Sequence, residues 1–191
     1  MNEPLIENGF AVTGAGSWLI GRGQPAAAAG KFSVKGLKGF VVPDRRCLCV
    51  LENAGEAYLS SSARPFLTHI TSVGTLSAVS SKVLIAPLDA RKKADLMRVV
   101  PLSLRDSFPV TRFGTGWAVM ATASRVKRIV LEEGQVLCVK HGSAVAWTGK
   151  DPVGVAGRVK LVDVLIPKRK VSLSLDFYGP QIVWVEGSDG V

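Results

Sequence analysis

Histidine is almost missing from this chain: two in 191 residues, His69 and His141, lying 72 positions apart. A metal-dependent double-stranded β-helix uses a close His-x-His pair with a carboxylate, and no such pair is present. Cysteine is scarce too. Three thiols, an odd number, fit a reducing compartment better than a disulfide framework. Charged residues make up only 20%, yet a hydrophobic fraction of 47% excludes a disordered chain. No apolar run approaches the roughly 18 residues of a membrane-spanning helix. The start, Met1-Asn-Glu-Pro-Leu-Ile-Glu7, carries two acids and no basic stretch, which argues against a secretory leader and a mitochondrial presequence. The expectation is a cytoplasmic protein. A chain of this length buries about 70% of its unfolded surface, so it folds without disulfides or metal.

What is present is short alternating strands. Val171, Leu173, Leu175 and Phe177 lie on one face of 171–178, with Ser172, Ser174, Asp176 and Tyr178 on the other. Residues 46–51 alternate in the same way, Arg46, Leu48 and Val50 against Cys47, Cys49 and Leu51. Period two with one polar face predicts half-buried antiparallel sheet. Further strands are predicted at 38–42, 66–70, 75–79, 82–86, 117–123, 125–131, 135–140, 144–148, 159–166 and 181–186, from β-branched or aromatic runs between turn residues. One stretch reads as helix: Asp89 is placed to cap Ala90–Met97, rich in helix formers. The small-residue segment 21–30 reads as a loop.

Lys38–Val50 aligns without a gap on Lys127–Val139, each ending Leu-Cys-Val, and the same offset carries Ala57-Tyr58 onto Ala146-Trp147. Phe10–Trp18 and Val110–Trp117 form a similar pair ahead of them. The expected fold is therefore an all-β single domain, a duplicated sandwich of two stacked antiparallel modules with at most one short helix. The two repeats span about 9–90 and 100–191, with a linker around 89–100.

Candidate chemistry is sparse. Pro25–Phe32 resembles the end of a phosphate-binding loop, but a proline replaces its first glycine and Phe32 its magnesium-binding hydroxyl. Gly14-Ala-Gly16 and Gly114-Thr-Gly116 lack the third glycine of a dinucleotide site and read as structural. Cys47 and Cys49 share a strand face, but a zinc site needs further ligands from Cys138, His69 and His141. Cys49 and Cys138 occupy equivalent repeat positions and read as small core residues. The adjacent acids Glu132 and Glu133 fall on a turn, where they face solvent separately. No catalytic residue, cofactor or metal site is predicted, and the chain reads as non-enzymatic. The four tryptophans, at or near strand starts, read mostly as core.

The formal net charge is +9, split into +4 for residues 1–95 and +5 for the remainder. The basic clusters are Arg91-Lys92-Lys93, Arg125 with Lys127 and Arg128, Arg158 with Lys160, and Lys168-Arg169-Lys170 at an expected hairpin tip. Such a surface attracts polyanions at modest salt.

The second half carries a family pattern: Phe113-Gly-Thr-Gly-Trp117, then Val130–Val139, then Gly142–Trp147, then Leu175–Trp184. It resembles the altered-inheritance-of-mitochondria 24 family, whose fold is similar to that of the tryptophan-RNA-binding attenuation protein. Gly114, Gly116, Gly134, Gly142, Ala146 and Gly179-Pro180 occupy that pattern's turn and strand positions. The resemblance implies a TRAP-like β-sandwich that self-assembles, and it carries no catalytic residues. The sequence thus predicts a non-enzymatic binding or scaffold protein, a homo-oligomer of otherwise uncharacterised role. The alternative is polyanion binding, to RNA or an acidic membrane surface, through Lys168, Arg169, Lys170, Arg125, Lys127 and Arg128.

Overall fold

Short β-branched and aromatic runs, closely spaced by turn residues, favour extended backbone, and they need a second layer to bury their apolar face. The structure, a computed structural model, describes residues 3–21, 27–36, 47–61, 64–87, 91–95, 108–114, 116–156 and 173–187. Among them every regular element is a β-strand except two three-residue 3-10 turns, Ser80–Lys82 and His141–Ser143.

The first sheet runs β1 (Leu5–Glu7), β2 (Phe10–Thr13), β5 (Cys47–Leu59), β3 (Gly16–Ile20), β8 (Val83–Ala86), β11 (Trp117–Thr122), β6 (Phe66–Thr71), with β4 (Ala27–Gly36) also paired to β5. The second runs β12 (Val126–Leu131), β17 (Gln181–Glu186), β14 (Ala144–Thr148), β7 (Leu76–Val79), β10 (Phe108–Phe113), β9 (Arg91–Asp95). The third is β13 (Val136–Lys140), β16 (Leu173–Tyr178), β15 (Val153–Ala156). All pairings are antiparallel. The first sheet curls: β1 returns to β6, where Glu3 Oε2 lies 3.6 Å from His69 Nε2.

Strand alternation sorts the apolar side chains into three cores. On β11, Trp117, Val119 and Ala121 enter the hollow of the curled first sheet with Trp18, Ile20 and Leu84. Ala118 and Met120 point the other way, into a central core shared with Leu76, Phe113, Val145 and Trp184 of the second sheet. A third core, built around Trp147, Leu175, Phe177 and Val183, joins the second sheet to the third. β11 is covered on both faces and all six of its residues are buried. All four tryptophans are buried, as their positions predict.

The strands predicted at 66–70, 75–79, 82–86, 117–123, 125–131, 135–140, 144–148 and 181–186 are present within a residue or so of those bounds. In β16, Leu175 and Phe177 are buried and Tyr178 is exposed, matching the predicted faces. The candidates 38–42 and 159–166 lie outside the described residues. Two expectations are corrected. Within the expected helix, Arg91–Asp95 is strand β9, paired to β10 from Arg91↔Arg112 to Asp95↔Phe108. A short helix there would have only its own weak nucleus, whereas the strand gains a whole ladder of tertiary hydrogen bonds. Likewise Ala27–Gly36, at the end of the expected loop, is strand β4. Gly55 of β5 lets the two backbones close in: a Cβ added there would stand 1.9 Å from the Ala29 carbonyl oxygen.

The pairing scheme recurs along the chain. β6 pairs β11, β11 pairs β8, β7 pairs β10, and β10 pairs β9. Equivalently, β12 pairs β17, β17 pairs β14, β13 pairs β16, and β16 pairs β15. This recurrence runs at an offset of 60 positions between the turn glycines, Gly74 with φ +100° and Gly134 with φ +80°. The offset that aligns Cys47–Val50 with Val136–Val139 joins strands with unlike partners: β5 carries β2, β3 and β4, while β13 carries β16.

At matching places in the two units a glycine is pressed onto the preceding hairpin turn. A Cβ on Gly116 would lie 2.3 Å from the Ser72 carbonyl oxygen, and one on Gly179 would lie 1.9 Å from that of Glu132. Hydrogen bonds fix both contacts: Ser72 N–H donates to Gly116 O at 2.7 Å and Gly179 N–H to Gln135 O at 2.9 Å. Gly142, by contrast, faces open space. Gly116→Ala and Gly179→Ala are therefore expected to destabilise by about 1–3 kcal/mol or more, and Gly142→Ala by under about 0.5 kcal/mol, in chemical denaturation.

Candidate functional site

Arg125 immediately precedes β12, and Lys127 and Arg128 lie on it, all three exposed. β12 pairs only with β17 among the described residues, so the three cations stand at one edge of the second sheet. Lys127↔Val185 and Arg128↔Trp184 are cross-strand partners, which sends the two side chains to opposite faces of that edge. Arg91, Lys92 and Lys93 belong to β9, the opposite edge of the same sheet. Five strand spacings separate the two edges, about 24 Å. These clusters do not gather into one patch. Lys168, Arg169 and Lys170 lie outside the described residues.

The predicted turn residues fall as follows. Gly114 is an exposed bend after β10, and Gly116 leads into β11. Gly134 forms the turn between β12 and β13, and Gly179-Pro180, joined by a cis peptide bond, connects β16 to β17. Gly142 sits in the second 3-10 turn. Cys138 is exposed on β13 and is no core residue. Its neighbours Leu137 and Val139 take the inward positions, so the alternation turns the thiol out. His69 is on β6 of the first sheet, edge-on to Trp117 with ring centroids 6.2 Å apart, far in the topology from Cys138 on the third sheet. No group of three His, Cys, Asp or Glu side chains comes together among the described residues.

The best-organised polar cluster was not foreseen from the sequence. Lys82, in the first 3-10 turn, is 6% exposed, and its Nζ donates to Glu186 Oε2 at 2.6 Å and to the Gly142 carbonyl oxygen at 2.7 Å. Glu186 Oε1 accepts the Ala123 and Ser124 N–H groups at 2.5 and 3.0 Å. Thr122 Oγ1 donates to Ser124 O at 2.7 Å, the Ser124 hydroxyl bonds the Gly187 carbonyl, and Arg64 Nη1 donates to Ser81 O at 2.9 Å. Burial pushes the Glu186 carboxyl up, but the Lys82 ammonium and the two backbone donors outweigh it and hold the group below the usual glutamate range. Burial, helped by the Arg64 charge, lowers the Lys82 ammonium against the pull of Glu186. Only a lysine and a glutamate widely separated in sequence mark this cluster, which is why sequence pattern alone missed it.

A second cluster joins Arg112 of β10 to Asp151, which also accepts from Trp147 Nε1 at 3.4 Å. A different surface lies on the outer face of the third sheet. There Val136 and Tyr178 stand directly opposite one another, with Cys138 and Val153 both partnered to Asp176 in the next row. Val136, Tyr178 and Val153 are each about half exposed, at 53%, 49% and 54%.

No family model matches the chain, and no curated protein matches it. Among solved structures it is similar to protein SPYM3_0169 from Streptococcus pyogenes, at 12% identity and a TM-score of 0.72, over 97% of this chain and 92% of that one. At this identity the likeness is one of fold alone.

Removing one member of the pair, as in Lys82→Met, is expected to cost about 1–3 kcal/mol in urea unfolding, because Glu186, only partly buried, keeps its charge and its two backbone donors without its cation. Replacing both, Lys82→Met with Glu186→Leu, costs much less. The pair also sets an acid limit. Unfolded glutamate titrates near 4.3, and folded Glu186 titrates below that. Between the two values the unfolded chain binds more protons, so stability is complete above about pH 4.3 and falls as pH drops through the folded value. Thermal melts from neutral pH into this range should show a shallower acid decline for Glu186→Gln than for wild type.

Proposed function

We propose that this chain is a non-enzymatic scaffold or binding protein that works as a self-assembled oligomer. The observation that carries the reading is the outer face of the third sheet. Val136, Tyr178 and Val153 expose apolar area on adjacent strands, around a single acid, Asp176, and close to the exposed end of β13 at Lys140. Contiguous apolar area on a regular sheet is what a subunit contact covers. That face is also nearly neutral in a chain of net charge +9, so like charges oppose association less there than elsewhere.

The buried ionisable pair supports a structural role for the cluster around it. The Lys82 ammonium and both Glu186 oxygens are engaged by backbone and side-chain groups of the fold. The polyanion alternative would use Arg125, Lys127 and Arg128 at one edge of the second sheet, with Lys168, Arg169 and Lys170 outside the described residues. This reading agrees with the resemblance to the altered-inheritance-of-mitochondria 24 family and its TRAP-like architecture.

Sedimentation velocity with multi-angle light scattering tests the proposal directly. The expected mass is a multiple of the 20.2 kDa chain. A single 20.2 kDa species at tens of micromolar overturns it.

A further inference from the structure

Among the described residues, the recurring pairing scheme leaves one place beside the third sheet unfilled. β3 carries a strand on each edge, β5 and β8, and β7 likewise carries β10 and β14. β13 holds the corresponding place in the last unit. It pairs with β16 on one edge and, among the described residues, with nothing on the other. That edge reads Val136-Leu-Cys-Val-Lys140, with no proline, glycine or bulge to discourage a further strand.

The charges around β13 say which strand fits. Glu132 and Glu133, both exposed, lie in the turn that starts it, and exposed Lys140 ends it. A parallel neighbour of the same sequence would set acid beside acid and lysine beside lysine. An antiparallel one separates the like charges and brings each acidic start towards the partner's basic end, Glu133 lying three residues, roughly 10 Å, along the strand from the position opposite Lys140. We propose that two copies of this chain pair β13 to β13 in antiparallel fashion about a two-fold axis at Cys138, merging their third sheets into one six-stranded sheet. In that register Cys138 faces Cys138 of the partner, and Val136 faces Lys140 of the partner. The proposal rests on the self-assembly reading and adds to it a strand-edge contact, which is separate from the outer face of the third sheet. It also makes the apolar faces of the two sheets continuous, since directly opposed residues of an antiparallel pair point to the same side.

Either kind of antiparallel pair holds opposed Cα atoms about 4.5–5.5 Å apart, within reach of a short thiol-to-thiol link. Both Cys138 side chains project from the sheet face and stay accessible to reagent. A short bis-maleimide is therefore expected to yield a covalent dimer on a denaturing gel, and Cys138→Ser to abolish it. A dimer that survives Cys138→Ser has linked through another thiol and overturns the register. A charge series on the full chain, read by sedimentation equilibrium, gives the second arm. Val136→Lys opposes Lys140 of the partner and should weaken association by between about two-fold and about thirty-fold, from two repulsive contacts per dimer. Val136→Glu should strengthen it over a similar range, and Val136→Lys combined with Lys140→Glu should recover it. Val136 is half exposed, so the variants are expected to fold, which circular dichroism is to check. If the chain assembles but neither the cross-link nor the charge series responds, the β13 contact is wrong and the self-assembly reading stands. If the wild type is monomeric, both fall.

Discussion

The arrangement depends on one carboxylate at a corner. The chain leaves the second sheet at the end of β7 and enters the first at β8 through Ser80–Lys82, and it returns from β11 to β12 through Ala123, Ser124 and Arg125. At such a bend the backbone drops out of the ladder, and its N–H groups lose their strand partners. Where the residue is buried, as at Ser124, leaving the group unpaired is costly. Glu186, at the end of β17, accepts two of them, from Ala123 and Ser124. That carboxylate, sheltered on one side, is paired with a cation, Lys82 on the other crossover. These two of the passages between the first and second sheets are thereby fastened at one point.

Lys82 also reaches Gly142, and the pairing recurrence gives that contact a meaning. The 3-10 turn Ser80–Lys82 lies between β7 and β8, as His141–Ser143 lies between β13 and β14. Corresponding corners of successive units therefore pack on each other. Two lysines meeting there would repel, and two glycines would leave the Glu186 charge bare. A long cation from one unit and an open carbonyl from the other is a combination that works. Units that share a pairing scheme must then differ in sequence where they touch.

Much of the fold was legible because strand alternation is a local signal. Leu175, Phe177 and Tyr178 take the faces their spacing predicts, and β14 and β17 have the bounds read from the sequence. The failures share a cause. Arg91–Asp95 has helix-forming composition, and Ala27–Ala29 has none of the branched residues that mark a strand, yet each is held extended by a neighbour remote in sequence. Cys138 was misjudged for a related reason: the phrase Leu-Cys-Val is shared by β5 and β13, but burial depends on the sheet behind the strand and not on the phrase. The candidate site was less legible still. Lys82 is separated from Glu186 by 104 positions, and no spacing rule joins them.

The same distinction explains which repeat is physical. Alternating words such as Leu-Cys-Val suit many half-buried strands, and β5 and β13, which share this one, have unlike partners. The recurrence that the backbone obeys is carried instead by positions where a side chain is forbidden. Gly116 and Gly179 each press on the turn of the preceding hairpin, and Gly74 and Gly134 give those turns their positive φ. Between such points many apolar residues fill the same space, because cores tolerate substitution when volume and pattern are kept. A fold specified in this way can be shared with the Streptococcus pyogenes protein over nearly the whole chain at 12% identity.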